Sequence, residues 1–178
     1  MRIITGRFKG VRVSAPPGSA VRPTSDGLRE TLFNVLQDTV AGTRVLDGFA
    51  GTGALGIEAL SRGAAHVTFI ERDARVLRVL KENLARCHAE DACVIIRDDF
   101  LHARRAAEPF DLILLDPPYD IPDLARVVDI AATIVAPGGQ VVLEHARRRE
   151  SPSVAGQLRR TRVLVAGDSA LSFYEYLS

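Results

Sequence analysis

Apolar runs alternate with amphipathic segments along most of the chain. Continuous runs rich in Val, Ile and Leu predict strands that are buried on both faces of a parallel sheet; they cover residues 44–46, 67–70, 92–96, 110–115 and 140–143. The segments between the runs have helical periodicity and predict helices over residues 54–61, 74–86 and 122–135, with a short helix near residue 101. Strands that alternate with helices in this way indicate a doubly wound α/β domain.

The beginning of the chain departs from this alternation. Residues 2–4 and 11–13 surround two glycines and predict a short hairpin, which looks like an appendage to the main fold. An amphipathic helix follows residues 24–26, which are all good capping residues. We therefore expect residues 1–24 to form an N-terminal extension and residues 25–178 to form the main domain of a protein that is a single domain overall.

A second hairpin is predicted near the other end. Residues 160–165 and 171–176 flank a glycine turn and have the pattern of two antiparallel strands. This hairpin would close one edge of the sheet, so the sheet is expected to be mostly parallel.

The composition narrows the class of protein. Of the 178 residues, 47% are hydrophobic and 25% are charged, as in an ordinary single globular domain. No apolar run approaches the roughly 20 residues of a membrane span, and no leader pattern is present, so we expect a cytoplasmic protein. Cys87, Cys93 and the 4 histidines lack the spacing of metal ligands, so no metal is expected. A domain of this size needs no partner to fold, which favours a monomer.

Basic residues are concentrated at the two ends of the chain. Residues 1–25 contain five basic residues and no acid: Arg2, Arg7, Lys9, Arg12 and Arg22. A second basic run has Glu150 as its single acidic residue and contains Arg147, Arg148, Arg149, Arg159, Arg160 and Arg162. This distribution is typical of a protein whose ends bind a polyanion. The alternative is a solvated surface of an arginine-rich protein.

A glycine loop follows the first predicted strand. Gly51, Gly53 and Gly56 have the G-x-G-x-x-G spacing that both nicotinamide and S-adenosylmethionine binders use. Asp47, at the carboxyl end of the strand, distinguishes between them. A carboxylate disfavours the pyrophosphate of a dinucleotide but favours the cationic amino group and sulfonium of S-adenosylmethionine, so the loop indicates the latter cofactor.

Further acids follow the second and third predicted strands. Glu71 can accept hydrogen bonds from both ribose hydroxyls of the cofactor. Asp99 is placed to accept from the adenine amino group, and the Phe100 backbone to read the edge of the ring, although Asp98 is an alternative to Asp99. Helix capping or a solvated loop is the alternative role for these acids. The predicted cofactor contacts are Asp47, Phe49, Gly51, Gly53, Glu71, Arg72, Asp99 and Phe100.

The fourth predicted strand runs directly into Asp116-Pro117-Pro118-Tyr119. The prolines exclude a helix here and make the loop rigid. The Asp116 carboxylate and the Pro117 carbonyl can accept the two hydrogens of an exocyclic amino group, whose lone pair is otherwise delocalised into the base. Tyr119 would stack on that base. The alternative is a proline turn with Tyr119 packed in the core, but the position after a strand and a glycine loop favours a catalytic loop.

Together, these motifs resemble the bacterial 16S ribosomal RNA guanine-N2 methyltransferases of the RsmD type over nearly the whole chain. The resemblance rests on Arg2-Ile3-Ile4 with Gly6, Arg22-Pro23-Thr24, residues 29–34, residues 47–56, residues 58–64 and Asp116-Pro117-Pro118-Tyr119. The blocks before the glycine loop are the specific ones, because the glycine loop and the proline loop recur in many amino-methyltransferases.

The resemblance implies a Rossmann-like class I methyltransferase fold with seven strands, in which the last hairpin inserts one antiparallel strand. It implies methyl transfer from S-adenosylmethionine to the exocyclic N2 of a guanine in 16S ribosomal RNA, on an assembled small-subunit particle. The cofactor residues above carry over, with Asp116, Pro117 and Tyr119 as catalytic residues within the loop that also contains Pro118. RNA contacts are expected at Arg2, Arg7, Lys9, Arg12, Arg22, Pro23 and Thr24.

Other functions compatible with these residues differ in target or in chemistry. An amino-methyltransferase could act instead on adenine N6 in DNA or RNA, or on a glutamine side chain, although a loop that begins with Asp rather than Asn disfavours glutamine. A catalytically silent nucleic-acid-binding domain would retain the fold. Intact Asp116 and Tyr119 argue against a silent domain, because it would need neither residue.

Overall fold

The computed structural model describes residues 1–16, 26–102 and 108–177. Its centre is an eight-stranded sheet with the strand order β3-β2-β1-β4-β5-β8-β7-β6. The strands are β1 Arg44–Asp47, β2 His66–Ile70, β3 Cys93–Ile96, β4 Phe110–Leu115, β5 Val135–Ala146, β6 Val154–Ala155, β7 Leu158–Ala166 and β8 Ser169–Tyr176. The α-helices are α1 Asp26–Leu36, α2 Ala54–Ser61, α3 Ala74–Arg86 and α4 Leu124–Ile134, and short 3-10 helices cover Gln37–Thr39, Glu90–Ala92 and Phe100–His102.

The strand pairing confirms the predicted doubly wound α/β fold. Strand β1 pairs in parallel with both β2 and β4, and β4 pairs in parallel with β5. The chain therefore turns to opposite sides of β1, which places a topological switch point between β1 and β4. Ligands bind such sheets at the carboxyl ends of the strands beside this point.

The predicted hairpin at the far edge is also confirmed. Strand β8 lies between β5 and β7 and is antiparallel to both. The predicted count of seven strands was wrong, because a further strand, β6, pairs with β7. This strand has only 2 residues, too few to show an alternating pattern.

Both faces of the sheet are covered by helices, which explains the continuous apolar runs. Adjacent residues of β1 point to opposite faces: Val45 packs in the layer that contains Phe33 of α1 and Leu80 of α3. Its neighbour Leu46 packs in the opposite layer, which contains Val127 of α4. A strand buried on both faces needs an apolar residue at nearly every position.

Several boundaries differ from the sequence pattern. Helix α4 begins at Leu124 rather than at residue 122, because the Asp123 carboxylate caps it by accepting a hydrogen bond from the Arg126 N–H at 3.0 Å. Strand β5 begins at Val135, where the sequence predicted the end of a helix, and its pairing with β4 is irregular near Phe110. Helices α2 and α3 have the predicted bounds.

The N-terminal segment contains one antiparallel bridge, between Arg2 and Arg12, and packs closely against α2. Ile3, Phe8 and Val13 are buried in the same apolar layer as α1, α2 and α3. The predicted appendage therefore contributes side chains to the main core.

A buried carboxylate on α2 holds this segment in place. The two oxygens of Glu58 accept hydrogen bonds from the N–H groups of Ile4 at 2.8 Å and Thr5 at 3.1 Å. The same carboxylate forms an ion pair with Arg62 at 2.9 Å and lies 3.8 Å from the guanidinium of Arg29, whose side chain is fully buried. Glu58 thus joins the N-terminal segment, α1 and α2.

We expect Glu58→Ala to lower the free energy of unfolding by about 3 kcal/mol, because it removes a buried carboxylate that pairs with Arg29 and Arg62 and accepts two backbone hydrogen bonds from the N-terminal segment. Urea denaturation of the purified protein measures this change. The control is Glu30→Ala, which removes an exposed carboxylate from α1. Equal stability of the two variants would contradict a structural role for Glu58.

Candidate active site

Acidic side chains meet at the carboxyl edge of the sheet, beside the switch point. Asp47 ends β1, Glu71 follows β2 and Asp116 follows β4. The structure therefore brings together residues that are far apart in sequence, as predicted from their positions at strand ends. Asp116 and Glu71 both act electrostatically on Asp47.

Asp47 is almost completely buried, with 1% of its surface exposed. One carboxylate oxygen, Oδ2, accepts a hydrogen bond from the Gly56 N–H at 2.9 Å. The other, Oδ1, is buried without a hydrogen-bond partner among the residues described. Burial, opposed by the Gly56 hydrogen bond and assisted by the nearby Asp116 and Glu71 charges, raises the pKa of Asp47 to about 7. Such a carboxylate favours a bound cation, because a positive group would restore the solvation it has lost.

The glycine loop curves tightly around Asp47. Gly51 and Gly53 have positive φ angles of 53° and 86°, which other residues rarely adopt. A Cβ atom at Gly53 would lie 2.3 Å from the Leu80 side chain. The loop therefore requires glycine at residue 53 both for its backbone angle and for close packing against α3.

Glu71 fixes the other side of the loop. Its Oε2 accepts a hydrogen bond from the Gly51 N–H at 2.9 Å, and its Oε1 accepts one from the Asp73 N–H at 2.8 Å. Each carboxylate oxygen has a second lone pair. Because Glu71 is only partly buried, both oxygens can also accept hydroxyl hydrogens from a ligand.

Two aromatic rings lie beside this edge. The ring centroids of Phe49 and Phe100 are 5.1 Å apart with an interplanar angle of 46°. Phe100 is buried, whereas Phe49 is partly exposed. The rings form an apolar wall between the glycine loop and the end of β3, suited to the planar face of a base.

Asp99 and Asp98 have different environments. Asp99 is partly buried and accepts hydrogen bonds from the Leu101 N–H at 2.9 Å and from Arg72 at 3.0 Å. Asp98 is exposed. Its carboxylate accepts a hydrogen bond from the Asp99 N–H at 2.7 Å and lies 3.2 Å from His102 Nδ1. Asp99 thus has the helix-capping role that the sequence offered as an alternative, while its ion pair places Arg72 beside the predicted cofactor residues.

The Asp116-Pro117-Pro118-Tyr119 loop leaves the sheet at the end of β4. Asp116 and Tyr119 are partly buried, Pro117 is buried and Pro118 is exposed. The Pro118 carbonyl accepts a hydrogen bond from the Ile121 N–H at 2.9 Å, which closes the loop as a turn. The Tyr119 hydroxyl is hydrogen-bonded to Ser169 and donates to Glu144 at 3.4 Å. The tyrosine is therefore held by its hydroxyl at the start of β8 rather than enclosed in the core.

Arg149 also holds this loop, a role that the sequence analysis did not predict. Its guanidinium donates hydrogen bonds to the carbonyls of Tyr119 at 3.2 Å and Pro122 at 3.2 Å, and to the carbonyl of Ile121 between them. Nothing in the run of arginines at 147–149 distinguishes this residue from its neighbours. Arg149 and Tyr119 are 30 residues apart in the chain, so the contact joins two distant segments.

The predicted RNA-contact residues fall into two groups. Arg2, Arg7, Lys9 and Arg12 are exposed on the N-terminal segment. Arg2 donates to the Gly10 carbonyl at 2.7 Å, and the Arg7 guanidinium lies 5.3 Å from the centre of the Phe8 ring. The second group, Arg22, Pro23 and Thr24, lies outside the described residues.

The strand order, the glycine loop and the buried strand-end carboxylate define a class I methyltransferase whose cofactor is S-adenosylmethionine. Residues 1–175 match the model of the family described as "Conserved hypothetical protein 95", and the chain belongs to this family.

Similar proteins carry methyltransferase names. The chain is 34% identical over 177 residues to "Ribosomal RNA small subunit methyltransferase D" from Escherichia coli (strain K12), covering 98% of this chain and 89% of that protein. The solved structure of yhhF from Escherichia coli is 34% identical and covers 99% of this chain and 98% of its own, with a TM-score of 0.87. At the level of the fold alone, the chain also resembles a 16S rRNA N2 G1207 methyltransferase (RsmC) of T. thermophilus, solved with AdoMet and guanosine. That match has 24% identity and a TM-score of 0.76, and covers 99% of this chain and 49% of that one.

Two kinds of feature are absent from the described ranges. No helix there is both long enough and apolar enough to cross a membrane. No group of at least 3 His, Cys, Asp or Glu side chains in the same ranges could hold a metal ion.

The Asp47 environment predicts that cofactor affinity depends on pH. The amino group of S-adenosylhomocysteine has a pKa of about 8 and stays protonated below pH 7. A change in affinity below pH 7 would therefore reflect titration of the protein. Because Asp47 must lose its proton to oppose that cation, affinity should fall by up to about tenfold for each pH unit below 7. Calorimetric titration with S-adenosylhomocysteine from pH 5.5 to 8 tests this, and affinity that is constant between pH 5.5 and 7 would contradict it.

The same environment predicts an effect on stability without cofactor. A raised carboxyl pKa means that the folded protein binds the proton more tightly than the unfolded chain, so this contribution to stability is lost as the pH rises from about 4 to 7. Asp47→Asn should therefore raise the free energy of unfolding at pH 8, since the amide carbonyl can still accept from Gly56 without a buried charge. Urea denaturation should show no such gain for Asp129→Asn, an exposed control on α4.

The Arg149 contacts predict an effect on turnover. Arg149→Lys keeps the charge but cannot reach all three carbonyls with one planar group, so the loop should shift. A misplacement of this kind can reduce turnover by up to about 100-fold. The rate of methyl transfer should fall while affinity for S-adenosylhomocysteine stays unchanged. Arg126→Lys, an exposed substitution on α4, is the control, and equal rates for the two variants would exclude the role of Arg149.

Proposed function

We propose that this enzyme transfers a methyl group from S-adenosylmethionine to the exocyclic N2 of a guanine in 16S ribosomal RNA of the small subunit. The observation that carries the chemistry is the meeting of Asp47 and Asp116 at one edge of the sheet, where Asp47 suits a cationic cofactor and Asp116 begins a rigid acceptor loop. The choice of RNA follows the name of the Escherichia coli relative, which aligns over 98% of this chain.

Each predicted cofactor residue has a role that its contacts support. Asp47 would oppose the charge of the cationic amino group and the sulfonium from its buried position at the end of β1. Gly51 and Gly53 bring the loop backbone close to the cofactor, and Glu71 accepts hydrogen bonds from the ribose hydroxyls. Phe49 and Phe100 provide the apolar wall for the adenine, and Asp99, oriented by Arg72, accepts from the adenine amino group. Asp98 remains the alternative acceptor for the adenine.

The catalytic loop activates the amino group of the guanine. The Asp116 carboxylate and the Pro117 carbonyl accept its two hydrogens, which orients the nitrogen lone pair towards the methyl carbon and favours a tetrahedral nitrogen. The bound cofactor supplies an electrophilic methyl group whose leaving group is a neutral thioether. Asp116 takes the proton that the nitrogen loses and passes it to solvent.

Tyr119 holds the base in this position. Its hydroxyl hydrogen bonds at the start of β8 restrict the rotation of the ring, so one face is presented to the base as a stacking platform. A guanine can reach this platform only when it is unpaired or turned out of its helix.

The N-terminal segment would bind the RNA backbone. Arg2, Arg7, Lys9 and Arg12 are exposed on a segment that is anchored to the core through Glu58. We propose Arg22, Pro23 and Thr24, which lie outside the described residues, as further RNA contacts because the family resemblance implies them. Fixed cations of this kind position the RNA without reading its bases. We place the enzyme in the cytoplasm as a monomer that acts on the assembled small-subunit particle.

Incubation with small subunits that lack the modification tests the proposal. With methyl-labelled S-adenosylmethionine, we expect one labelled guanine, and mass spectrometry should place the methyl group on N2. Label on adenine would replace this proposal with the adenine amino-methyltransferase. Cofactor binding without transfer to RNA would favour the silent nucleic-acid-binding domain.

Asp116→Ala tests the acceptor role directly. The variant should lose turnover by roughly a hundredfold or more, because one of two transition-state acceptors is gone. Affinity for S-adenosylhomocysteine should be retained, since removing this charge also removes one source of the raised Asp47 pKa. The matched control is Asp120→Ala, an exposed carboxylate 4 residues further along. Turnover of Asp116→Ala within a few-fold of the control would show that the acceptor assignment is wrong.

A further inference from the structure

A cavity of about 260 Å³ lies beside the catalytic loop, between the turn after β5 and strands β7 and β8. Four arginine side chains line it, against the single carboxylate of Glu150: Arg147, Arg148, Arg149 and Arg160. Guanidinium groups bind phosphate through paired, charge-assisted hydrogen bonds. The cavity is therefore suited to an anion.

Two of these arginines are fixed parts of the wall. Arg149 donates to the carbonyls of the catalytic loop, including Tyr119 at 3.2 Å, so the cavity directly adjoins that loop. Arg160 donates to the Ser151 carbonyl at 2.5 Å and to its hydroxyl at 2.9 Å. Ser151 is buried, so Arg160 is anchored to the interior of the fold.

The other two arginines, Arg147 and Arg148, lie on a turn held by backbone hydrogen bonds and have available side chains. The Arg147 N–H donates to the Asp168 carbonyl at 2.8 Å, and the Arg149 N–H donates to the Ala146 carbonyl at 2.9 Å, so the turn is held at both positions. The side chains of Arg147 and Arg148 are exposed and form no ion pair with any residue in the described ranges. Their charges are accordingly available to a ligand.

The rest of the lining is neutral or apolar. His145 is buried, and burial lowers its pKa, so it adds no positive charge near pH 7. Val163 and Val165 are 43% and 53% exposed on the outer side, where a ribose or a base can cover them. A nucleotide has both parts that such a surface requires, a phosphate for the arginines and an apolar face for the valines.

We infer that this cavity binds a backbone phosphate of the substrate RNA, next to the nucleotide that enters the catalytic loop. The inference rests on the proposed function, because it takes RNA as the polyanion. It adds a second contact surface, formed by the turn after β5 and separate from the N-terminal segment. Such a contact positions the substrate and contributes to binding without sequence preference.

The double substitution Arg147→Gln and Arg148→Gln tests the inference. Binding of a small-subunit RNA fragment that contains the target guanine is measured by fluorescence anisotropy over a range of salt concentrations. Loss of one phosphate contact should reduce the slope of log K against log salt by roughly 0.7 to 0.9. The KM for small subunits should rise, while kcat at saturating RNA and affinity for S-adenosylhomocysteine should not change.

A second double substitution, Arg78→Gln and Arg126→Gln, provides the matched control. It removes the same charge from exposed positions on α3 and α4. A salt slope or a KM for the cavity variant that equals that of this control would overturn the inference. Failure of the proposed function has a different signature, because the unchanged enzyme would then place no methyl group on guanine N2.

Discussion

The hydrogen bond between the buried Asp47 carboxylate and the Gly56 N–H connects the end of β1 to the first turn of α2. The glycine loop between these two residues is short, so this bond restricts its path around the carboxylate. It satisfies one oxygen of Asp47 and leaves the other buried without a partner among the described residues. The chain thus buries a carboxylate in the place where, in the proposed function, a cationic cofactor would compensate for the solvation that it has lost. The free energy that the buried carboxylate costs the free protein would be recovered when a cation binds beside it.

The catalytic loop depends on the opposite part of the sheet. Tyr119 is held by its hydroxyl at β5 and β8, and its carbonyl is held by Arg149 in the turn after β5. The predicted cofactor residues lie on one side of the switch point, and the supports of the proposed acceptor loop lie on the other. Catalysis therefore requires that the two halves of the sheet keep their relative positions, which the pairing of β1 with β4 and of β4 with β5 maintains.

The fold was largely predictable because buried parallel strands must be apolar along their whole length and because glycines and acids mark strand ends. The bounds of α2 and α3 and the placement of Asp47, Glu71 and Asp116 at one edge followed from these patterns. Contacts between distant segments were not predictable. Glu58 bonds to backbone N–H groups 53 and 54 residues away, and Arg149 bonds to carbonyls 27 to 30 residues away. Backbone partners leave no trace in side-chain identity, so neither residue differs in sequence from an ordinary surface charge.

The position of β8 within the sheet affects the order in which the molecule can be completed. Strand β8 is synthesised after β5 and β7 but lies between them, so the hydrogen-bonding groups along β5 lack their β8 partners until its residues emerge. A chain that still lacks β8 would present β5 as an open edge with which other chains could pair. Ser169, which bonds the Tyr119 hydroxyl, is the first residue of β8. Tyr119 therefore acquires its full support only when the sheet closes, which would make the proposed base platform one of the last parts of the fold to form.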